Sequence, residues 1–164
     1  MHRRESLLGI LQMTKRPDLH VLEIGSYKGE SAKLFLGTGL VEHITCIDAW
    51  ENGYDPLDIA SHATPMAEVE AEFDQLLGPR VTKIKGRSNQ VPHLIRDQSI
   101  DVVYIDACHQ YQAVREDILL YLPKVVLGGI LAGHDLPWPG VRKAVKELLG
   151  NVTTFPDGSW AISI

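Results

Sequence analysis

A glycine loop between an apolar run and a helical segment is the feature of this chain best suited to hold a ligand. The run at residues 21–24 leads to Gly25 and Gly29, and the next apolar run, at residues 44–47, ends at Asp48. Glycines let a backbone approach a ligand closely, and a carboxylate at a strand end accepts hydrogen bonds from both hydroxyls of a ribose. This pairing predicts a nucleoside site, with turn glycines and a solvated strand-end acid as the alternatives.

Polar residues also follow the other apolar runs. Ser88 follows the third run, Asp106 the fourth, and His134 and Asp135 the fifth. Adjacent parallel strands are about 4.8 Å apart, so we expect Asp106 and Asp135 to converge, with His134 beside them. His109 follows Asp106 closely, and a histidine that is neutral near pH 7 can take a proton from a hydroxyl. A helix cap is the alternative role for His109.

Strands and helices that alternate along the chain must position these residues. Apolar runs predict strands at residues 20–24, 43–48, 81–85, 100–105 and 129–132. Helical spacing predicts helices at residues 4–14, 30–36, 65–77, 111–121 and 141–149, and a short helix at 91–95. The first helix is expected on the sheet edge, and residues 49–64 are expected to form a long functional or mobile loop. The tail around Pro156-Asp157-Gly158 predicts a hairpin.

Composition limits the class of protein. A chain of 164 residues, 45% hydrophobic and 23% charged, predicts a single domain over residues 1–164. No apolar run reaches the roughly 18–20 residues of a membrane helix, the start is a poor signal peptide, and the two cysteines are expected to be reduced. These features predict a cytoplasmic protein with no membrane partner. The net charge of -5, without a basic stripe, argues against a nucleic-acid partner.

Four motifs carry a resemblance to a known family. The segment Glu23-Ile24-Gly25-Ser26-Tyr27-Lys28-Gly29 resembles the first motif of class I S-adenosylmethionine-dependent methyltransferases. The segments at residues 104–111, 122–124 and 128–135 are similar to a group that includes macrolide-sugar and, more distantly, catechol-type O-methyltransferases. The similarity covers about residues 19–149. It implies a Rossmann-like, doubly wound α/β sheet of seven strands in the order 3-2-1-4-5-7-6, with the last strand antiparallel.

The same resemblance implies S-adenosyl-L-methionine as the cofactor. Its binding set is expected to be Glu23, Gly25, Ser26, Gly29, Asp48, Ala49, Trp50, Ser88 and Asp106. Glu23 is expected to bind the methionine ammonium group directly or through water, with a helix charge partner as the alternative. Trp50 is expected to stack on adenine or to roof the site. Ser88 is expected on the adenine side, with a helix N-cap as the alternative.

A divalent cation is the second group that the resemblance implies. In the similar O-methyltransferases a carboxylate after strand four and a polar pair after strand five bind the ion. Asp106 matches the first, and His134-Asp135 stands where that family usually has Asp-Asp or Asp-Asn. Magnesium prefers oxygen ligands and imidazole suits transition metals, so Mg²⁺, another divalent cation and a metal-free pocket floor all remain open. Asp106 and His109 are the expected catalytic residues.

The leading hypothesis is therefore a methyltransferase that acts on an oxygen of a small molecule or sugar, with metal assistance left open. The first alternative is a nicotinamide-dependent oxidoreductase, which Tyr27 in place of a second glycine and the terminal hairpin argue against. The second alternative is a non-catalytic cofactor-binding module of the same fold. Since about 20 residues precede the first strand, the acceptor pocket is expected to be open, built by residues 49–64, or completed by a second subunit in a homo-oligomer.

Overall fold

A mixed sheet of seven strands forms the centre of the structure, a computed structural model that describes residues 2–164. The strands are β1 (Leu19–Ile24), β2 (Val41–Asp48), β3 (Val81–Lys85), β4 (Ile100–Ile105), β5 (Val125–Gly133), β6 (Thr153–Thr154) and β7 (Trp160–Ser163). Their order is β3-β2-β1-β4-β5-β7-β6. Strands β1 to β5 pair in parallel, and β7 is antiparallel to both β5 and β6. The implied fold class and strand order are confirmed.

Six α-helices cover this sheet within the described residues. They are α1 (His2–Gln12), α2 (Glu30–Leu36), α3 (Ile59–Ala63), α4 (Met66–Asp74), α5 (Tyr111–Tyr121) and α6 (Pro139–Leu149). Two 3-10 turns lie at Pro92–Leu94 and Leu122–Lys124. The predicted bounds of α2, α5, β3 and β4 are confirmed, whereas the predicted loop at residues 49–64 contains α3. None of the described helices combines the length and apolar character needed to cross a bilayer.

Each strand at the centre of the sheet faces two apolar layers. In β4, Val102 and Tyr104 join the layer that contains residues of α1, α2 and α4, while Val103 and Ile105 join the layer of α5 and α6. Burial on both faces explains why the central strands are near-continuous apolar runs in the sequence. Glu23 of β1 is the exception, since it is a fully buried carboxylate.

Two packing predictions were wrong in detail. Helix α1 packs against α2 and against β5, an interior strand, because Leu7, Ile10 and Leu11 form a buried stripe that covers a sheet face and not its edge. In α5, the apolar pattern of the sequence places Tyr111, Val114, Ile118 and Leu119 on one face, but Leu119 is 45% exposed. The face of α5 that packs on the sheet includes Tyr121 and a buried acid, Asp117, instead of Leu119.

The terminal hairpin closes the sheet beside β5. Trp160 of β7 is fully buried, and its Nε1 atom donates to the carbonyl of His134 at 3.3 Å. A side chain at Gly133 has no room, since a Cβ atom there would lie 2.6 Å from the Trp160 ring. The hairpin therefore supports the tip of β5, from which His134 and Asp135 project.

Candidate functional site

Two adjoining cavities open at the carboxyl ends of the parallel strands, where ligands bind in folds of this kind. The larger cavity, of about 280 Å³, lies between the tips of β1 to β4 and the start of α5. The smaller cavity, of about 190 Å³, lies between the glycine loop, α1 and the tip of β5. Both are lined by Gly25, Tyr27, Tyr54, Asp106 and Ala107. Of the other predicted residues, the larger cavity is lined by Asp48, Ala49 and Ser88, and the smaller by Ser26, His109 and Asp135.

The two glycines of the loop are required by protein packing. Gly25 has a φ of +86°, and a Cβ atom there would lie 2.1 Å from the carbonyl oxygen of Asp106. Gly29 has a φ of +78°, and its Cβ atom would lie 2.9 Å from Leu76. Both conformations favour glycine. The loop can therefore pass over the tip of β4, which brings Asp106 next to the glycine motif.

Asp48 is held in a fixed orientation at the tip of β2. Its Oδ2 atom accepts from the backbone N–H of Tyr27 at 2.8 Å, and its Oδ1 atom accepts from the backbone N–H of Trp50 at 2.7 Å. Burial raises the pKa of the Asp48 carboxyl, while these backbone N–H groups act in the opposite direction. Each oxygen keeps a lone pair, so the carboxylate can still accept from a ribose diol in the larger cavity.

The side chain of Trp50, which was expected to stack on adenine or to roof the site, lines neither cavity. Its ring packs against Phe73 with the centroids 4.9 Å apart, and only 5% of the residue is exposed. Its Nε1 atom donates to the carbonyl of Tyr27 at 2.9 Å. A φ of +46° at Trp50 turns the side chain into the core, a reversal that apolar patterning does not reveal. Ala49, the residue before it, lines the larger cavity as expected.

Glu23 lies beneath the glycine loop and lines neither cavity. It is fully buried, accepts a hydrogen bond from the hydroxyl of Ser31, and has the thiol of Cys46 at 3.7 Å. Burial raises the pKa of Glu23 to about 7. The expected contact with the methionine ammonium group is therefore not preformed, because protein side chains already surround this carboxyl.

The far end of the larger cavity combines Ser88 with an acid that the sequence interpretation missed. Asp117 of α5 lines this cavity and is 3% exposed, and burial raises its pKa to about 7. Ser88 does not cap the following turn, whose N-cap is Val91, and its carbonyl accepts from the hydroxyl of Tyr121 at 2.7 Å. The available signal was an acid three residues after Val114 on the inward face of α5.

His109 lies between two carboxylates at the smaller cavity. Its Nδ1 atom is 2.6 Å from Oδ2 of Asp55, and its Nε2 atom is 2.9 Å from Oδ2 of Asp135. Its ring stacks on Trp138 with a centroid distance of 4.4 Å. The hydrogen bond to Asp135 is the largest contribution that raises the pKa of His109 to about 9, and Asp55 adds to it. The helix-cap alternative is wrong, because Gln110 is the N-cap of α5.

Asp106, His134 and Asp135 converge as expected. Each of the three offers one ligand atom within 4.8 Å of the others. The Nδ1 atom of His134 is 3.1 Å from Oδ1 of Asp135 and 3.7 Å from Oδ1 of Asp106. The remaining carboxylate oxygens bind cationic side chains, since Oδ2 of Asp106 contacts Arg3 and Oδ2 of Asp135 contacts His109.

This arrangement fits a divalent cation. Two carboxylate oxygens and one imidazole nitrogen lie within 4.8 Å of one another, and groups behind them fix the orientation of both carboxylates, as is typical of metal sites. The mixed oxygen and nitrogen donors suit Mn²⁺ or a similar ion better than Mg²⁺. His134 would have to be neutral to coordinate the ion.

The sequence interpretation missed two residues that complete this cluster. Asp55 and His109 are 54 positions apart, and the only signal for Asp55 was its place in a long loop after β2. Arg3 and Asp106 are 103 positions apart, and the helical pattern of α1 gave no signal for their contact.

The comparisons with known proteins agree with this geometry. The methyltransferase domain family matches residues 22–136. Protein R132 of Acanthamoeba polyphaga mimivirus, which is uncharacterized, is 30% identical over 146 residues; the match covers 84% of this chain but only 62% of that protein. The chain thus spans less than two thirds of the length of this curated relative.

Solved structures share the fold at low sequence identity. CalS11, a TDP-rhamnose 3'-O-methyltransferase of calicheamicin biosynthesis, superposes with a TM-score of 0.67 at 17% identity, covering 98% of this chain and 77% of its own. The O-methyltransferase NovP gives a TM-score of 0.75 at 16% identity, and the match covers 98% of this chain and 78% of NovP. The methyltransferase PaMTH1 of Podospora anserina, solved with S-adenosylhomocysteine (SAH), gives a TM-score of 0.63 at 18% identity. The match covers 97% of this chain and 76% of PaMTH1. With its motifs, its strand order and the family match, the chain belongs to the methyltransferase domain family, in the class I, S-adenosylmethionine-dependent form.

Proposed function

We propose that this protein transfers the methyl group of S-adenosylmethionine to a hydroxyl oxygen of a small molecule or sugar. The observation that carries the proposal is the position of His109 between Asp55 and Asp135, at the smaller cavity and beside Asp106. An oxygen acceptor has a proton to lose during transfer, and an imidazole held by a carboxylate is suited to take it. CalS11 and NovP, which share the fold, are both O-methyltransferases by name and support this acceptor class.

The two cavities divide the cofactor between them in this proposal. The larger cavity takes the adenosine part, with Asp48 at the ribose hydroxyls and Ser88 and Asp117 at the base. The smaller cavity takes the methionine part and the reacting hydroxyl. Asp106 lines both cavities, so the sulfonium group would lie beside it. The acceptor oxygen would then approach from the side of His109.

In the reaction, the acceptor oxygen forms a bond to the methyl carbon while the carbon–sulfur bond breaks and its electron pair stays on sulfur. The hydroxyl proton goes to Nε2 of His109. In the resting structure Asp135 occupies Nε2 and is the main cause of the raised pKa of His109. An acceptor hydroxyl that replaces Asp135 at Nε2 removes this contribution, which brings the pKa of His109 back towards the range of a general base. Asp55 keeps Nδ1 protonated and the ring in place.

The proposal also includes a metal ion. Asp106, His134 and Asp135 would hold a divalent cation, which would lower the pKa of the acceptor hydroxyl and orient it. Asp135, which contacts Nε2 of His109 in the resting structure, would also be a ligand of the ion. The same three residues would otherwise form a polar pocket floor.

The fold and the family match favour this function over a nicotinamide-dependent oxidoreductase, since β7 runs antiparallel beside β5. A non-catalytic cofactor-binding module is the remaining alternative.

The experiment has two steps. Calorimetry measures binding of S-adenosylhomocysteine and of NAD, and we expect only the first to bind. Radiolabelled S-adenosylmethionine is then incubated with a panel of catechols, phenols and nucleotide sugars, with and without Mn²⁺. We expect label in at least one hydroxyl acceptor, lost in His109→Gln and retained in His93→Gln, a matched change at an exposed histidine. Cofactor binding without transfer to any acceptor would favour the non-catalytic module.

A further inference from the structure

An uncovered aromatic ring lies beside the proposed base. Trp138 stacks on His109, yet 37% of Trp138 is exposed. It is the N-cap of α6, stands between two prolines, and donates its backbone N–H to the carbonyl of Asp135 at 2.9 Å. A Cβ atom at Gly140 would lie 2.3 Å from the carbonyl oxygen of His109, so the start of α6 packs directly on the segment that holds the base. The indole is therefore a fixed, partly uncovered wall next to the imidazole.

The segment after β2 brings further apolar side chains to the same place. Tyr54 lines both cavities and is exposed. Leu57 donates its backbone N–H to Asp55, the partner of His109, while 54% of Leu57 stays exposed. Large apolar side chains that stay uncovered as a group commonly mark a binding surface. Tyr54, Leu57 and Trp138, which all adjoin the Asp55–His109 pair, form the apolar rim of the smaller cavity.

The charges at this cavity disfavour an anionic acceptor. Four acids line it, namely Glu30, Asp58, Asp106 and Asp135. A divalent cation would bind the last two and offset their charge, but Glu30 and Asp58 are outside that cluster. Since like charges placed together in a binding site cost free energy, a phosphate group would be repelled here.

The cationic side chains give no compensating attraction. Within residues 2–164, the Arg and Lys side chains that line the two cavities already have acidic partners: Arg3 with Asp106, Lys28 with Glu72, and Arg87 with Glu51. Phosphate groups are usually bound by Arg or Lys side chains that are free to donate to them. The surroundings of His109 thus offer apolar contact and negative charge, a combination that suits an uncharged ring.

We propose that the acceptor is an uncharged, flat, hydroxylated ring compound, such as a phenol, whose ring packs on the apolar rim while its hydroxyl reaches His109. Glu30 and Asp58 select against acceptors that carry phosphate. A nucleotide sugar, the acceptor that the name of CalS11 gives for that enzyme, would be a poor substrate for this protein. The inference rests on the proposed function, because it takes His109 as the base and the smaller cavity as the acceptor site.

The radiolabel assay tests this inference with three acceptors. 3,4-Dihydroxyphenylethanol presents an uncharged ring, its phosphate ester carries the same ring and ring hydroxyls with an added charge, and TDP-rhamnose is a nucleotide sugar. We expect kcat/KM for the uncharged compound to be at least about tenfold higher than for its phosphate ester, because of the like charges in the cavity. We expect no transfer to TDP-rhamnose.

The acids are tested by the double variant Glu30→Gln, Asp58→Asn. The advantage of the uncharged compound over its phosphate ester should fall at least about threefold, the scale of one or two partly screened charges. Asp58 is the N-cap of α3, and asparagine caps helices as well as aspartate does, so the helix should be retained. Glu68→Gln, at an exposed acid of α4 that lines neither cavity, is the control and should keep the full advantage.

The apolar rim is tested at Trp138 and Leu57. Trp138→Ala should raise KM for the uncharged compound at least about fivefold, the scale of one aromatic pair, and Leu57→Ala should raise it less. Trp138→Phe keeps a ring and should restore most of the loss. Leu127→Ala, at an exposed apolar residue of β5 that lines neither cavity, is the control. Thermal melting checks that each variant is folded.

Three outcomes would overturn the inference. A lower kcat with unchanged KM in Trp138→Ala would show that the indole only positions the imidazole. Equal kcat/KM for the uncharged compound and its phosphate ester, or preferred transfer to TDP-rhamnose, would contradict the acceptor class but leave the proposed function intact. Binding of S-adenosylhomocysteine without transfer to any acceptor would overturn both.

Discussion

The Nδ1 atom of His109 lies 2.6 Å from Oδ2 of Asp55, although the two residues are 54 positions apart in the chain. The same oxygen accepts from the backbone N–H of His109 at 2.8 Å, and the other oxygen accepts from the backbone N–H of Leu57 at 2.8 Å. Asp55 is fully buried. One carboxylate thus fixes the segment after β2 to the tip of β4 and directs Nε2 of His109 towards the smaller cavity.

Asp55→Asn should lower turnover by about 10²-fold or more, because general acid–base catalysis contributes about 10²–10⁴-fold and depends on the orientation of the imidazole. The affinity for S-adenosylhomocysteine should remain close to that of the wild type, since Asp55 does not line the larger cavity. Initial rates and calorimetry on the same samples measure both quantities. Glu51→Gln, an exposed change in the same segment, is the control. Undiminished turnover in Asp55→Asn would remove His109 from its proposed role.

Asp48→Ala should weaken binding of S-adenosylhomocysteine by about 1.5–3 kcal/mol, the scale of hydrogen bonds to a charged group. Because Asp48 also accepts from the backbone N–H groups of Tyr27 and Trp50, the variant's free energy of unfolding must be measured separately. Asp48→Asn, which keeps the shape but not the charge, distinguishes a lost carboxylate from a disturbed turn. If calorimetry shows the same affinity in both variants as in the wild type, Asp48 does not bind the ribose.

Asp117 should make folding stability depend on pH. Its pKa in the folded protein is raised to about 7 by burial, so the folded state holds this proton more tightly than the unfolded chain does. The contribution is fully present below the ordinary pKa of an aspartate and is lost as pH rises to about 7. At about 1.4 kcal/mol per pKa unit, the loss is on the order of 4 kcal/mol.

Asp117→Asn removes this titration. Urea unfolding at a series of pH values should show the variant gaining stability relative to the wild type between about pH 4 and pH 7, with a constant difference above that range. Glu68→Gln removes an exposed acid of α4 and should follow the wild-type curve. Parallel curves for Asp117→Asn and the wild type would show that the Asp117 carboxyl titrates normally in the folded protein.

Asp106→Asn should abolish turnover and Mn²⁺ binding, because Asp106 supplies one of the three converging ligand atoms. Treatment with EDTA should remove activity, and Mn²⁺ or Mg²⁺ should restore it. Asp97→Asn, at an exposed acid remote from the cavities, is the control. Full activity in EDTA would instead indicate a metal-free reaction that relies on His109.

The sequence predicted the scaffold well because the scaffold depends on local patterns. Apolar runs located the central strands, and the residues after β4 and β5 converge because adjacent parallel strands end side by side. The orientation of Trp50 could not be predicted, since it follows from a positive φ at a position that is not glycine. Glu23 was placed in the correct strand, but its enclosure by Ser31 and Cys46 depends on how α2 and β2 pack around it.

The missed contacts share a different physical origin. Arg3 reaches Asp106, and Asp55 reaches His109, through pairings that close long loops of chain and have no local signature. Asp117 was missed for another reason. A buried acid in an amphipathic helix only interrupts the apolar pattern, and the sequence does not show the cavity that Asp117 lines.

The tip of β5 also contacts the terminal hairpin. Trp160 donates to the carbonyl of His134, and Asp157 lies 3.9 Å from the imidazole of His134, while α1 brings Arg3 to Asp106 from the other end. A ribosome would therefore complete β1 to β5 well before the acid–histidine cluster could assemble. Since domains fold largely as units during synthesis, nascent chains that lack β7 should not yet hold a competent site. Catalytic competence would thus arise only after translation of this region has finished.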